Sequence, residues 1–154
     1  MMDEKRKLSI KLSSDRKTVY EVLLDPEKVA SWRVPEEMTC SVYEFQPWVG
    51  GKIRISLTYL DETQRGKTKE HTDTYHGTFL ELVPYERIVE EDQFESEDET
   101  LRSSMTITYL LEEVEEGCLL AVQHEGLPES VSEDDNITGW KESMTRLKEL
   151  LLEI

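Results

Sequence analysis

The chain has 154 residues, 34 of them acidic and 18 basic, with a formal net charge of −16 at pH 7. That length is enough for a core that buries roughly 70% of the unfolded surface, so one domain over residues 1–154 is expected. A negative field of this size repels phosphate backbones and anionic lipid, which excludes nucleic acid and membrane as expected partners; the dense basic run, Lys5-Arg6-Lys7, sits beside Asp3 and Glu4.

The N-terminal segment MMDEKRKLSI lacks the apolar run of a signal peptide, and no stretch is apolar for long enough to span a bilayer, so a cytoplasmic protein is expected. Leu8, Ile10 and Leu12 then alternate with Lys7, Ser9 and Lys11, the period of a half-buried strand. Ser13, Ser14 and Asp15 supply caps for a helix carrying Val19, Val22 and Leu23 on one face. Asp25-Pro26 ends it and starts a second short helix that closes near Trp32.

Alternation resumes from Met38 to Phe45, and Gly50-Gly51 after Pro47 marks a hairpin turn. Ile53, Ile55, Leu57 and Tyr59 alternate strictly with Lys52, Arg54, Ser56 and Thr58, which defines the partner strand. The polar stretch from Asp61 to Lys69, with Gly66, reads as a loop before a long strand from about His71 to Leu82. Pro84 turns the chain into strand-like segments over Arg87 to Phe94 and Leu101 to Leu111, and Gly117 turns it into Leu119 to His124. Short connections throughout favour an antiparallel meander. Ser132 caps a last helix with Glu133, Asp134 and Asp135 in its first turn. Ile137, Trp140, Met144, Leu147 and Leu151 give that helix one continuous apolar stripe.

Few residues invite chemistry. Cys40 and Cys118 match neither a metal spacing nor a paired redox motif and are expected as core thiols. His71 and His76 fall on opposite faces of one predicted strand, so no metal is expected, and no serine or glycine-rich loop sits in a setting for nucleophilic or phosphate chemistry. His124 differs because it continues the alternation of Leu120 and Val122 onto the apolar face. It reads as a satisfied core histidine or, functionally, as a polar group that orients a ligand. Trp32, Trp48 and Trp140 are far apart in sequence yet placed where this layout could gather them around one space, with Met38, Met105 and Met144 as adaptable walls. The acidic runs Glu90 to Asp92, Glu95 to Glu99 and Glu112 to Glu116 read as solvated faces.

An ordered series of short motifs resembles one known family. It comprises Val19-Tyr20, Leu24-Asp25-Pro26-Glu27 and Trp32, then Phe45 and Gly50-Gly51-Lys52. Gly77-Thr78-Phe79-Leu80-Glu81 with Pro84 and Arg87 follows, and His124-Glu125-Gly126-Leu127-Pro128 with Gly139-Trp140 ends it. The series is similar to proteins like the C-terminal domain of the activator of the heat-shock protein 90 ATPase, within the START-like (SRPBCC) superfamily. The resemblance implies an α+β helix-grip fold: a curved antiparallel sheet of six or seven strands wrapped around a long C-terminal helix, with two short helices between strands 1 and 2. Arg33 and Val34 depart from the pattern, standing where relatives often carry an aromatic residue and glycine, which implies a differently shaped pocket entrance. The full chaperone activator also has a separate N-terminal domain, and 154 residues hold no room for it, so full chaperone activation is not expected.

The leading expectation is a binding domain for a small apolar or aromatic molecule, without cofactor and without assigned catalytic residues. Trp32, Phe45, Ile55, Tyr59, Tyr75, Met105, His124, Trp140 and Met144 are its candidate wall. A chaperone-interacting module is the alternative, and a cyclase- or hydratase-type enzyme using His124 is a further one that needs a second polar group facing inward.

Overall fold

The structure is a computed structural model and describes residues 7–61, 63 and 71–154. The predicted loop around Gly66 lies outside the described residues, as do Lys5 and Arg6. Strand β1 (Lys7–Leu12) leads into helix α1 (Arg16–Leu23), whose first turn is held by the Asp15 carboxylate accepting from the Thr18 N–H at 2.9 Å. Eight residues are too few for a helix to stand alone in water, so α1 depends on burying Val19, Tyr20, Val22 and Leu23. Helix α2 (Val29–Trp32) is a single turn that buries both of its end residues.

Six strands follow: β2 (Met38–Phe45), β3 (Lys52–Tyr59), β4 (Thr72–Val83), β5 (Arg87–Phe94), β6 (Met105–Val114) and β7 (Gly117–Glu125). They join β1 in one antiparallel sheet of order β1-β7-β6-β5-β4-β3-β2, so each strand after β2 pairs with its predecessor and only β1 must find a distant partner. Helix α3 (Glu133–Leu152) starts at Ser132, whose hydroxyl accepts from Asp135 N–H, and packs against α2 and β1. The curled sheet around α3 makes this a helix-grip α+β fold.

Some boundaries differ from expectation for local reasons. The strand predicted from Leu101 begins at Met105, because Asp98 caps a one-turn 3-10 helix over Glu99–Leu101 by accepting from the Thr100 N–H. His71 precedes β4 rather than lying on it, with its carbonyl accepting from Tyr59 N–H. Trp48 is 57% exposed on the β2–β3 turn and takes no part in an interior space. That turn needs Gly50 at φ +82°, a left-handed conformation that glycine adopts without strain.

Register decides which side chains meet inside. Across the concave face, Gly77, Asp92 and Met105 fall opposite one another, and one step along, Phe79, Glu90, Ile107 and His124 do the same. Strand β5 therefore points Ile88, Glu90 and Asp92 into the core, and Glu90 and Asp92 are 0% and 1% exposed. The acidic run Glu90 to Asp92, expected on a solvated face, is thereby corrected: the strand period carries two of its three carboxyls inward, and only Glu91 faces water.

Candidate functional site

The apolar stripe of α3 is not buried evenly. Met144, Leu147 and Leu151 sit in the main core, whereas Ile137 and Trp140 are only half-buried. Between the N-terminal half of α3 and the strands lies a cavity of about 180 Å³. Leu57, Tyr59, Tyr75, Phe94, Met105 and Ile107 form its sheet side, Trp140 and Ser143 its helix side, and Met38, Leu127 and Val131 its rim. Arg33, Asp73, Asp92, His124 and Asn136 bring polar groups to this largely apolar wall. A smaller void of about 90 Å³ adjoins it past His124 and Asn136, over Leu127 and Ile137. A depression of about 380 Å³ elsewhere is lined by Arg54, Ser56, Thr74 and Glu95; there Arg54 is clamped to Glu95 at 2.8 and 2.9 Å, and Ser56 and Thr74 share a 2.6 Å hydrogen bond.

One end of the cavity is built on a buried ion pair. Arg33 follows α2 directly and is 5% exposed. Its Nη1 and Nη2 donate to the two Glu90 carboxylate oxygens at 2.8 and 2.5 Å, and its Nε donates to the Tyr75 hydroxyl at 2.8 Å. Asp92 lies 3.5 Å from Nη2. One guanidinium cannot neutralise two buried carboxylates, so the pair retains a proton. Burial and the Glu90 charge raise the Asp92 carboxyl well above its ordinary range. Burial works against Glu90 ionising as well, but the Arg33 charge outweighs it and holds Glu90 below the usual carboxylate range. The resulting cluster is Arg33⁺, Glu90⁻ and a neutral Asp92, with no net charge. Gly77 makes room for it: a Cβ there would stand 2.0 Å from Asp92 Oδ1 and 2.1 Å from the Glu91 carbonyl oxygen.

The opposite end is set by His124. The Trp140 indole N–H donates to His124 Nδ1 at 3.0 Å, and the Asn136 side-chain nitrogen lies 3.3 Å from the same atom. Indole is a donor only, so Nδ1 carries the lone pair and the ring proton resides on Nε2. That Nε2 faces the Met105 sulfur at 3.3 Å, a weak acceptor. Burial lowers the imidazole pKa to about 4, against a smaller opposite pull from Glu90, so the ring is neutral at physiological pH.

Of the nine residues proposed from sequence, Tyr59, Tyr75, Met105, His124 and Trp140 stand on the cavity wall. Trp32, Phe45, Ile55 and Met144 are in the packed core, where Trp32 meets Tyr109 edge-on and Phe45 meets Phe79. Arg33, Asp92 and Asn136 were not among the nine, although a lone arginine directly after an apolar helical turn was a visible signal. Cys40 and Cys118 are free thiols, and burial pushes Cys40 up to about 11. Among the described residues no group of histidine, cysteine and carboxylate side chains is placed to hold a metal ion, and no helix is long and apolar enough to cross a membrane.

A seven-stranded sheet gripping a C-terminal helix, with a small cavity between them, defines a START-like protein of the helix-grip class. The family described as "Activator of Hsp90 ATPase homolog 1-like protein" matches residues 13–152, and the chain belongs to it. Protein CV1439 from Chromobacterium violaceum is 30% identical, with a TM-score of 0.83 over 94% of each chain. The AHSA1 (SPO3351) protein from Silicibacter pomeroyi is 16% identical, with a TM-score of 0.76 over 96% of this chain and 98% of that one. Protein NE0264 from Nitrosomonas europaea is 20% identical, with a TM-score of 0.73 over 99% and 98%. The last two likenesses are of fold. No curated protein sequence matches the chain.

Two outcomes follow from these charges. Arg33→Met leaves Glu90 buried without its cation and should cost about 3–5 kcal/mol in urea unfolding, whereas Arg33→Met combined with Glu90→Leu should recover much of that loss. Equal losses in the single and double variants would show that the stranded charge is not the cause. For His124, the unfolded chain binds its proton near pH 6.5 and the folded chain only near 4, so its contribution to stability falls as pH drops through that interval. The slope is about 1.4 kcal/mol per pH unit. Asp92, protonated in the folded state, slopes the other way, so the informative quantity is the stability difference between wild type and His124→Gln. That difference should move against the wild type from pH 6.5 to 4, and a flat difference would place the imidazole in an ordinary, solvated setting.

Proposed function

We propose that this chain is a binding domain for a small apolar or aromatic molecule, held between the sheet and the N-terminal half of α3. The observation that carries the reading is the cavity of about 180 Å³ that the chain's own side chains leave between two elements otherwise packed tightly. Interiors normally close to crystal-like density, and a recess that leaves aromatic and aliphatic side chains uncovered offers apolar surface for a ligand to bury. Pockets for drug-sized ligands span roughly 300–1,000 Å³, so this one suits a compound of one or two rings in place of a sterol or a long acyl chain. Tyr59, Tyr75, Phe94 and Trp140 offer ring faces and edges to such a compound.

Asp92 supplies the second inward polar group that a cyclase- or hydratase-type enzyme would need beside His124. It lies 3.5 Å from Arg33 and stays protonated beside Glu90, a charge-balanced arrangement that supports binding over catalysis. The family's description and the −16 charge support a second reading, a chaperone-interacting module.

A thermal-shift screen of one- and two-ring compounds tests the first reading. A ligand at a hundred times its dissociation constant should add about 2.7 kcal/mol and raise the melting temperature by several degrees. It should also change the tryptophan emission of the wild type but not of Trp140→Phe; a panel that moves neither signal removes the proposal. For the second reading, the chain as bait at low salt, where charge attraction is least screened, should retain a chaperone of the heat-shock protein 90 type, and its absence from the eluate removes that reading.

A further inference from the structure

Resting on the binding reading above, the arrangement of the two voids singles out the residue that sets ligand size. We infer that the bulk of the Asn136 side chain is a partition, which limits the main cavity to a single ring with a short substituent by closing off the smaller void behind it.

His124, Leu127 and Asn136 line both voids, so the boundary between them lies at these side chains. His124 stands on β7 and Leu127 follows that strand, whereas Asn136 projects from α3. The boundary is thus a place where helix and sheet face each other, and the 3.3 Å approach of the Asn136 side-chain nitrogen to His124 Nδ1 spans the gap. The ring on which Asn136 leans is itself held by the Trp140 N–H at 3.0 Å.

The order of residues along α3 agrees. Positions three and four apart share a helix face, so Glu133, Asn136, Trp140 and Ser143 form one row. Glu133 lines the smaller void, Trp140 and Ser143 line the main one, and Asn136 between them touches both.

Volume decides what the partition does. A dry apolar cavity of about 150 Å³ accepts benzene, so the main void of about 180 Å³ takes one six-membered ring and a short substituent. The smaller void of about 90 Å³ offers room for about three more heavy atoms, at roughly 30 Å³ for each water-sized group. With Asn136 in place, an arm long enough to use that room must push the amide away from His124, and the contacts it breaks offset the apolar surface it buries. Without the side chain the two voids join, and each further methylene is buried with its full transfer gain, about fourfold in affinity.

A length series reads the limit directly: ω-phenylalkanols from benzyl alcohol to phenylpentanol, titrated into ¹⁵N-labelled wild type, Asn136→Ala and Asn136→Leu while the Trp140 indole N–H resonance is followed. Alanine favours a helix and leaves the backbone N–H bond from position 136 to the Ser132 carbonyl in place, so the first variant should fold. In the wild type, affinity should climb over the first methylenes and then level off. In Asn136→Ala it should keep climbing, so that the ratio of phenylpentanol to benzyl alcohol affinity is about tenfold larger than in the wild type. Asn136→Leu, which branches at the same carbon without the hydrogen bond, should keep the wild-type limit. Matching length profiles in wild type and Asn136→Ala, or an Asn136→Leu profile that follows alanine, would overturn the partition and leave the binding reading intact. If no member of the series moves the Trp140 resonance in any of the three proteins at millimolar concentration, the partition and the binding reading beneath it both fall.

Discussion

The arrangement of this protein hinges on the bidentate contact between Arg33 and Glu90. Placing a guanidinium and a carboxylate out of water is costly, and their attraction offsets that cost only if the geometry is good and the remaining polar atoms find partners. Here the fork-to-fork geometry and the Tyr75 hydroxyl account for all three kinds of guanidinium nitrogen. The contact joins the end of α2 to the middle of the sheet across a sequence distance of 57 residues. Once made, it fixes where the chain leaves α2 and how the short helices close one side of the sheet. Removing one partner would leave a stranded charge, so the α2 segment and β5 hold each other in place.

The same contact shapes the chemistry of the cavity. Arg33 contributes a wall atom yet no available charge, because Glu90 has taken it. Asp92, next along β5, cannot ionise beside Glu90 and so adds a polar surface without a net field. Gly77 is a condition of this arrangement, since any side chain there would occupy the space of the Asp92 carboxyl. His124, at the far end, is neutral for a different reason: burial disfavours the imidazolium, and the Trp140 indole can only donate to an unprotonated Nδ1. Two ends built from ionisable residues thus frame the interior, a charge-balanced cluster at one and a neutral imidazole at the other.

Much of the fold was legible because the signals are local. The strict alternation of Ile53 to Tyr59, the Ser132 cap and the three-and-four spacing of Ile137 to Leu151 are period and capping effects that need no tertiary knowledge. The site was legible only in part, because a cavity wall is a property of register across strands. Tyr59, Tyr75, Met105 and His124 could be placed on the inward face from their own strands, whereas Trp32, Phe45, Ile55 and Met144 look identical in sequence and differ only in being packed. The segment Arg87 to Phe94 was opaque for a physical reason. Its inward positions alternate Ile88, Glu90 and Asp92, so hydrophobic periodicity fails at the two carboxyls that matter most. Their burial is explained by Arg33, far away in sequence, and a departure from the family pattern at that position was the one clue available.

Why the void lies where it does follows from the helix. The C-terminal half of α3 carries Met144, Leu147 and Leu151, apolar side chains that close the core from that side. The N-terminal half carries Asp135, Asn136 and Gly139 beside Trp140, with Ser143 just past the midpoint, and these small or polar side chains cannot fill the space that Arg33, Tyr75 and Asp92 hold open opposite them. Gly139 leaves the helix surface low, with its nearest outside atom, on Pro35, 3.5 Å from where a Cβ would stand. Collapse from above is resisted by Trp140, whose edge-on contacts with Tyr109 and His124 prop the helix at a set height. Collapse from below is resisted by the ion pair, because its partners cannot shift without losing their hydrogen bonds. The cavity is therefore held open by two rigid groups on opposite sides, so a ligand of the right size meets walls that are already in place and need little reorganisation to receive it.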